Sequence, residues 1–189
     1  MDTIIMQMLQ KRFFLMFIPK CDVFSKRIYQ EKCNIGCSDD IAAYDALLAE
    51  NKIVVFENRL GDFVFADVHT FDIFQTLQKK HKDVTSYVFC AEDTFGYFKI
   101  LESGKIVRKI ASFGQIDGIS SYPEIRGTPC RFELENNKIF QIDWSAKFLM
   151  DMLKDFGQKE VLALLDFYIG FREIAEAGIQ STSIYQLKS

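Results

Sequence analysis

The stretch from residue 84 to residue 143 constrains the fold most, because it is a series of short apolar segments separated by turn residues. Residues 95–101 and 105–112 are rich in β-branched and aromatic side chains, and Ser103-Gly104 lies between them. A glycine at the second position of a two-residue turn supplies the positive φ that a tight hairpin needs. The sequence therefore predicts an antiparallel hairpin centred on these two residues.

The predicted turn sets the register of the hairpin and places two cations opposite each other. The expected pairs are Leu101 with Ile106, Ile100 with Val107, Lys99 with Arg108, Phe98 with Lys109 and Tyr97 with Ile110. Like charges that face each other across a sheet repel by roughly 0.2–1 kcal/mol, so an acidic group should offset Lys99 and Arg108. One source is an internal carboxylate such as Glu92, Asp93 or Glu133. The other is an acidic group on a partner or ligand.

The segments around the hairpin complete a predicted meander of about five strands. Residues 84–91 are apolar on both faces, which is typical of a central strand. Residues 130–135 alternate between apolar and charged, and Asn-Asn at 136–137 favours a turn into a strand at 138–143. Residues 113–128 have no regular period and predict a long loop, a kind of segment that often carries function.

The rest of the chain predicts an N-terminal β/α portion and C-terminal helices, from capping residues followed by apolar residues at helical spacing. The expected elements are a strand at 12–18, a loop at 21–37, a helix at 39–50, strands at 53–56 and 63–68 around a five-residue turn at 58–62, a helix at 70–81, and helices at 145–156 and 161–171. The tail from Gly178 is polar and is expected to fray. We therefore predict one α+β domain over residues 1–189, with an antiparallel β-meander and C-terminal helices packed on the sheet.

The net charge and the cysteine content limit the kinds of partner and the cellular compartment that we expect. A net charge of −3 argues against nucleic acid, because such binding depends on neutralising phosphates. The apolar run at 13–18 is too short for a secretory signal or a membrane span, so we expect a cytoplasmic protein without membrane attachment. Five cysteines, an odd number, favour reduced thiols over disulfides.

No motif in the sequence specifies a reaction. Cys33 and Cys37 differ by one residue from the spacing of a zinc knuckle and lack a second pair. Asp67 and His69 point to the same face of a strand end but have no third catalytic partner. We therefore expect no catalytic residue, no metal and no cofactor.

Residues 89–98 (FCAEDTFGYF) followed by residues 102–109 (ESGKIVRK) resemble a loosely defined set of small bacterial proteins. In that set, a strand with an acidic turn leads to a Gly-Lys-aliphatic-Val-Arg hairpin, then a Gly/Pro loop and C-terminal helices. Such proteins are similar to the cytosolic immunity proteins that neutralise toxins delivered between bacteria. The resemblance covers the meander and not the N-terminal half. It implies a protein partner and transfers no catalytic residue.

The leading hypothesis is a non-enzymatic cytoplasmic protein-binding module, and more narrowly an immunity protein that neutralises a bacterial toxin. Arg and Tyr side chains are common at interface hot spots. The expected contact residues are Tyr97, Lys99, Arg108, Glu92, Asp93, Tyr122 and Arg126. Two alternatives stay open. One is a small-molecule binder or enzyme with a pocket between the sheet and the C-terminal helices. The other is a structural subunit of an assembly that uses helix 161–171 as an interface.

Overall fold

The structure is a computed structural model and describes residues 14–19, 29–35, 52–66, 79, 82–83, 85–91, 95–112, 114–116, 119–135 and 142–187. The strands of this described part are β1 Phe14–Pro19, β2 Tyr29–Ile35, β3 Lys52–Asn58, β4 Gly61–Ala66, β5 Ser86–Ala91, β6 Gly96–Glu102, β7 Lys105–Ala111, β8 Gly114–Ile116, β9 Ile119–Ser121, β10 Glu124–Arg126 and β11 Ser181–Leu187. Its helices are α1 Arg131–Glu135, α2 Leu149–Met152, α3 Gln158–Ile169 and α4 Phe171–Ala177. The predicted α+β class is confirmed.

Nine of the described strands form one antiparallel sheet in the order β10-β7-β6-β5-β1-β4-β3-β11-β2. β5, β6 and β7 are three strands of the predicted meander, and β10 adds a fourth strand beside β7. β1, predicted over residues 12–18, lies between β5 and β4. The meander is therefore continuous, through β1, with the strands of the N-terminal half.

One face of the sheet packs against α3 and α4. Phe63, Phe89 and Phe171 meet edge to face, with ring centroids 6.1–6.5 Å apart. Phe98 stacks on Tyr168 at 5.7 Å. These rings pack together in the layer between the sheet and the two helices, where the small-molecule alternative would place its pocket.

Helix α3 belongs to this core, because Val161, Leu164 and Leu165 are fully buried against the sheet. Gly170 ends the helix at a φ of 64°, in the left-handed region, and its N–H bonds to the carbonyl of Asp166. The segment 161–171 is thus a helix with one face in the core, followed by the start of α4, and Phe167 on this helix is 50% exposed.

The opposite face of the sheet is buried as well. Met16, Val55, Val64, Val88 and Cys90 point to this face, and each is at most 1% exposed. A strand that is buried on both faces reads as a continuous apolar run, which is the pattern from which β5 was predicted. The prediction of β5 as a central strand is confirmed.

Two segments predicted to be irregular are strands of the sheet. The tail expected to fray forms β11, which lies between β3 and β2, and Glu57 accepts hydrogen bonds from the hydroxyls of Ser181 and Ser183. These hydrogen bonds let a polar strand be buried. The loop predicted at 21–37 contains β2. Its sequence includes charged residues, which are common on strands at the edge of a sheet.

The segments after the hairpin also fold differently from the predicted loop and strand. Residues 113–128 contain the β8–β9 hairpin and β10 instead of a long loop. Residues 131–135 form helix α1 instead of a strand, because this places the buried Glu133 in an ion pair with Arg108 of β7. Arg131 and Glu135 also pair one helical turn apart at 2.8 Å. Ile142 and Asp143, in the last predicted strand, lie outside any strand.

Two elements, a turn and a helix, are shorter in the structure than predicted. The turn after β3 has two residues rather than five, since Asn58 pairs with Gly61. The helix predicted over 145–156 is limited to α2, because Asp143 Oδ1 accepts the backbone N–H of Ser145 at 3.0 Å and forms a turn there. The helices predicted at 39–50 and 70–81, apart from Lys79, and the turn at 136–137 lie outside the described residues.

Candidate functional site

The predicted hairpin forms, with Ser103 and Gly104 in the turn at φ of 50° and 71°. Positive φ at both central residues is typical of a type I′ turn, whose twist matches that of the flanking strands. The register follows the prediction as far as Leu101 and Ile106 and then shifts by one residue. Val107 is the extra residue of a β-bulge, so the pairs beyond it differ from the predicted ones.

The bulge changes which two cations face each other across β6 and β7. Lys99 pairs with Lys109, and Arg108 pairs with Ile100. The predicted pairing of Lys99 with Arg108 is therefore wrong, because the extra residue turns Arg108 to the other face of the sheet. Two cations still face each other across β6 and β7, but the second one is Lys109.

Arg108 is fully buried, and protein atoms hold its guanidinium on several sides. Nε donates to Oε1 of Glu133 at 3.1 Å, and Nη2 donates to Oε2 of the same carboxylate. Nη1 donates to the carbonyl oxygens of Arg126 at 3.0 Å and Gly127 at 2.7 Å. The ring of Trp144 lies 6.0 Å from Cζ. Arg108, a predicted contact residue, is thus an interior residue whose charge is neutralised by Glu133.

Gly127 allows the chain after β10 to approach β7 closely. A Cβ at this position would lie 2.0 Å from the carbonyl oxygen of Val107, and the φ of 79° is in the region that favours glycine. Arg108 also binds the carbonyl of Gly127. Together these contacts fix the segment that carries Arg126 to the end of the sheet.

The other face of the same strands carries three cations in register. Lys99 on β6 pairs with Lys109 on β7, which pairs with Arg126 on β10. We call these three residues the cation row; neighbouring strands in a sheet are about 4.8 Å apart. The exposed fraction rises along the row, from 7% for Lys99 to 19% for the Lys109 side chain and 62% for the Arg126 side chain. Glu124 contacts Lys109 through Oε2 and Arg126 through Oε1.

Burial and crowding of charge disfavour the protonated form of Lys99. Burial, followed by the charge of Lys109, lowers the pKa of Lys99 to about 8, and Glu124 opposes this shift. Burial alone would raise the pKa of Glu124, but the hydrogen bond and charge of Lys109, with Arg126, lower it overall. Burial and then the charge of Glu124 raise the pKa of Tyr97, whose ring lies 5.6 Å from Nζ of Lys109. Lys99, at the inner end of the cation row, therefore lies in an environment that destabilises its charged form.

Substituting Lys99 by methionine is expected to remove a rise in stability between pH 8 and pH 10. The pKa of about 8 in the folded protein lies below the ordinary 10.5, so the unfolded chain binds more protons in this window and a higher pH favours folding. At about 1.4 kcal/mol per pH unit, the rise is about 2–3 kcal/mol. Above this window the raised pKa values of Tyr97 and Tyr168 reverse the trend.

Urea unfolding across this pH range measures the effect in the wild type, in Lys99→Met and in Lys147→Met. Lys147 is an exposed lysine near Phe148 and serves as the matched control. We expect the wild type and Lys147→Met to share the same slope of stability against pH. An unchanged slope in Lys99→Met would contradict the assignment.

The structure brings together only part of the predicted site. Tyr97, Lys99 and Arg126 share one face, and Tyr122, which is 75% exposed, lies two residues before β10. Arg108 lies on the opposite face, and Glu92 and Asp93 are outside the described residues. Lys109 and Glu124 were not predicted from the sequence. The bulge that pairs Lys109 with Lys99 is not marked by any residue type, and Glu124 lies on β10, in a segment predicted to be a loop.

Metal ligands, membrane-spanning helices and cysteines were the other features considered from the sequence. No group of three or more His, Cys, Asp or Glu side chains among them is arranged to hold a metal ion. None of the described helices is long and apolar enough to cross a membrane. Cys90 is buried in β5, and Cys130 is partly buried before α1; both are free thiols. Asp67, His69 and Cys37 lie outside the described residues, and Cys33 lies in β2.

Comparison with protein-family models, with curated proteins and with solved structures finds no match to this chain.

Proposed function

We propose that this chain is a non-enzymatic cytoplasmic protein-binding module that contacts an acidic partner through the end of its sheet. The contact surface, which we call the edge surface, consists of Ile106, Val107, Tyr122 and Arg126. All four side chains are exposed, and they lie on β7, on β10 or just before β10. Tyrosine and arginine are enriched at interface hot spots, and Ile106 and Val107 add exposed apolar area along β7. The exposure of these four side chains along β7 and β10 is the observation that carries the proposal.

The charge of the edge surface favours an acidic partner. The chain as a whole carries a net charge of −3, yet the cation row ends at this surface with Lys109 and Arg126, which share one contacting carboxylate, Glu124. Opposite charges on two partners accelerate their encounter and disfavour wrong partners. A positive region on an acidic protein is therefore suited to recognise an acidic segment.

The bulge at Val107 makes pairing with a further strand an unsuitable mode of binding. Gly127 lies against the carbonyl oxygen of Val107 and covers β7 at this point. A bulge also twists the strand away from a regular ladder. We therefore propose side-chain recognition at the edge surface rather than addition of a partner strand.

The narrower proposal is that the partner is a toxin and the chain is its immunity protein. The hairpin resemblance over residues 102–109 supports this proposal, and Val107 and Arg126 of the edge surface lie at that hairpin. The small-molecule alternative receives no support from the described core, because aromatic rings pack together in the layer between the sheet and α3 and α4.

Affinity capture from the native host with full-length tagged protein, followed by mass spectrometry, tests the proposal. We expect one stoichiometric partner with a toxic domain, and we expect Tyr122→Ala and Arg126→Glu each to weaken its binding by about 2 kcal/mol or more without changing the melting temperature. Arg172→Glu is the matched control, because Arg172 is an exposed arginine on α4 in an ion pair with Asp166.

Three results would count against the proposal. Capture of no partner is the first, and equal loss of binding in Arg172→Glu and Arg126→Glu is the second. The third is a metabolite that raises the melting temperature, because a ligand that binds only the folded protein stabilises it. That result would favour the small-molecule alternative.

A further inference from the structure

Two cations of the row share one carboxylate. Lys109 and Arg126 both contact Glu124, and Lys99 lies next to Lys109 in the row. Within the part of the chain that the structure describes, Glu124 is the only carboxylate in contact with Lys109 or Arg126. One negative charge is thus shared between these two cations.

Glu124 marks where a negatively charged oxygen ligand can lie. Its two oxygens are held separately, one by an ammonium and the other by a guanidinium. This is the arrangement that carboxylates and phosphates share, with two oxygens on adjacent cationic donors. Glu124 lies on the short strand β10, and its side chain is 27% exposed beside the mostly exposed Arg126.

Access to the row is from its outer end. The side chain of Arg126 is 62% exposed and contacts Glu124 through Nε. Lys109 is partly buried behind it, and the ring of Tyr97 lies beside its ammonium group. An anion that enters here would be partly removed from water, where ion pairing is stronger than on an open surface.

We propose that the cation row is an oxyanion-binding site, and that its ligand in the complex described above is a side-chain carboxylate of the partner protein. The assignment to a protein carboxylate rests on the proposed function, whereas the site itself can be tested on the isolated chain. In this arrangement Glu124 is an internal competitor of the ligand. Removing its charge should therefore strengthen binding, while removing the charge of Lys109 should weaken it.

Isothermal titration of the full-length protein with inorganic phosphate and with a short polyglutamate peptide tests the site at low salt. Lys109→Met is expected to weaken binding of the peptide about tenfold, because it removes a charge-assisted hydrogen bond. Glu124→Gln is expected to tighten binding about threefold or more, in the opposite direction, because it removes like-charge repulsion. Raising the salt concentration should weaken binding in every variant.

Matched controls use the same substitutions at exposed positions elsewhere. Lys147→Met and Glu135→Gln should leave the dissociation constants unchanged, and a polyglutamine peptide should not bind. Thermal unfolding followed by circular dichroism checks that each variant is folded. Because the two row variants are expected to act in opposite directions, a general loss of structure cannot reproduce the pattern.

The outcomes separate this inference from the proposed function. Binding of neither phosphate nor peptide overturns the inference, and so does peptide binding that is unchanged in Lys109→Met. Binding of phosphate alone overturns the assignment to a protein carboxylate. A captured partner that binds Lys109→Met as well as wild type leaves the proposed function standing without this site. Peptide binding that depends on Lys109, with no captured partner, supports the site and contradicts the proposed function.

Discussion

Replacing Arg108 by methionine is expected to lower the free energy of unfolding by about 3–5 kcal/mol, a large part of the stability of an ordinary domain. The carboxylate of Glu133 is fully buried and would be left as an unpaired interior charge. The carbonyl oxygens of Arg126 and Gly127 would each lose a donor as well. The loss therefore comes mainly from groups that remain after the substitution, rather than from the net value of the ion pair.

The double variant Arg108→Met with Glu133→Leu separates these contributions. Replacing both members of a buried ion pair by apolar residues of similar size is often neutral or stabilising. We expect most of the loss to be recovered, leaving a deficit of about 1–2 kcal/mol from the two carbonyl groups. Urea unfolding followed by fluorescence of Trp144, the single tryptophan, reports on this region directly.

An exposed ion pair on the neighbouring helix supplies the control. Arg131 pairs with Glu135 on α1, and both side chains are mostly exposed. Arg131→Met should therefore cost less than about 0.5 kcal/mol. A loss of less than about 1 kcal/mol in Arg108→Met would contradict the buried position of Arg108, since an orphaned interior carboxylate costs more.

Removing residues 181–189 is expected to abolish cooperative folding. This deletion takes away β11, an interior strand that pairs with β3 on one side and β2 on the other. Without it, β2 has no neighbouring strand and the outer edge of β3 is unpaired. Unpaired edges also attract other chains, so aggregation should accompany the loss. Circular dichroism melts and size-exclusion chromatography measure both effects.

A shorter deletion and a point substitution test the same claim without removing the strand. Deleting residues 188–189 should leave the melting temperature unchanged, because Leu187 is the last residue of β11. Ser183→Pro should be strongly destabilising, because proline removes a hydrogen-bond donor in an interior strand. If the longer deletion melted like the full chain, the placement of β11 within the sheet would be wrong.

Local sequence signals predicted the elements whose geometry depends on near neighbours. The turn at Ser103 and Gly104 was predicted because a two-residue turn with positive φ is specified by the turn residues themselves. The β-bulge at Val107 was not predicted, because it depends on the Arg108–Glu133 ion pair and on Gly127, which lie at distant positions. One inserted residue was enough to replace Arg108 with Lys109 as the partner of Lys99.

Segments whose burial depends on distant partners were misassigned. β11 is polar at Ser181 and Ser183, and it is accommodated within the sheet because Glu57 accepts their hydroxyl groups. Residues 131–135 alternate like a strand, but they fold as a helix whose Glu133 side chain binds Arg108. In both cases the deciding contact joins residues that no local pattern connects.

The candidate site, like the fold, was predicted only where local sequence signals determine the structure. Tyr97 and Lys99 were placed on a common face, because alternation along strands sets which side chains share a face. Arg126 was predicted as a contact residue, but within the loop expected at 113–128 rather than on a strand face. Lys109 and Glu124 required the true register and the existence of β10, which the sequence indicated only as a loop. Tyr122 was predicted for contact and is exposed, so it remains a testable member of the edge surface.

The pairing of β3 with β11 also determines when the sheet can be completed during translation. Ser181 and Glu57, which bond across this pair, are 124 positions apart in the chain. Until β11 has left the ribosome, β4 is the only described strand that pairs with β3, and β2 has none of the described strands to join. Such long-range pairing is slow, and an unfinished sheet is prone to associate with other chains. The interval between the emergence of β3 and that of β11 is therefore the stage at which the nascent protein most needs chaperones.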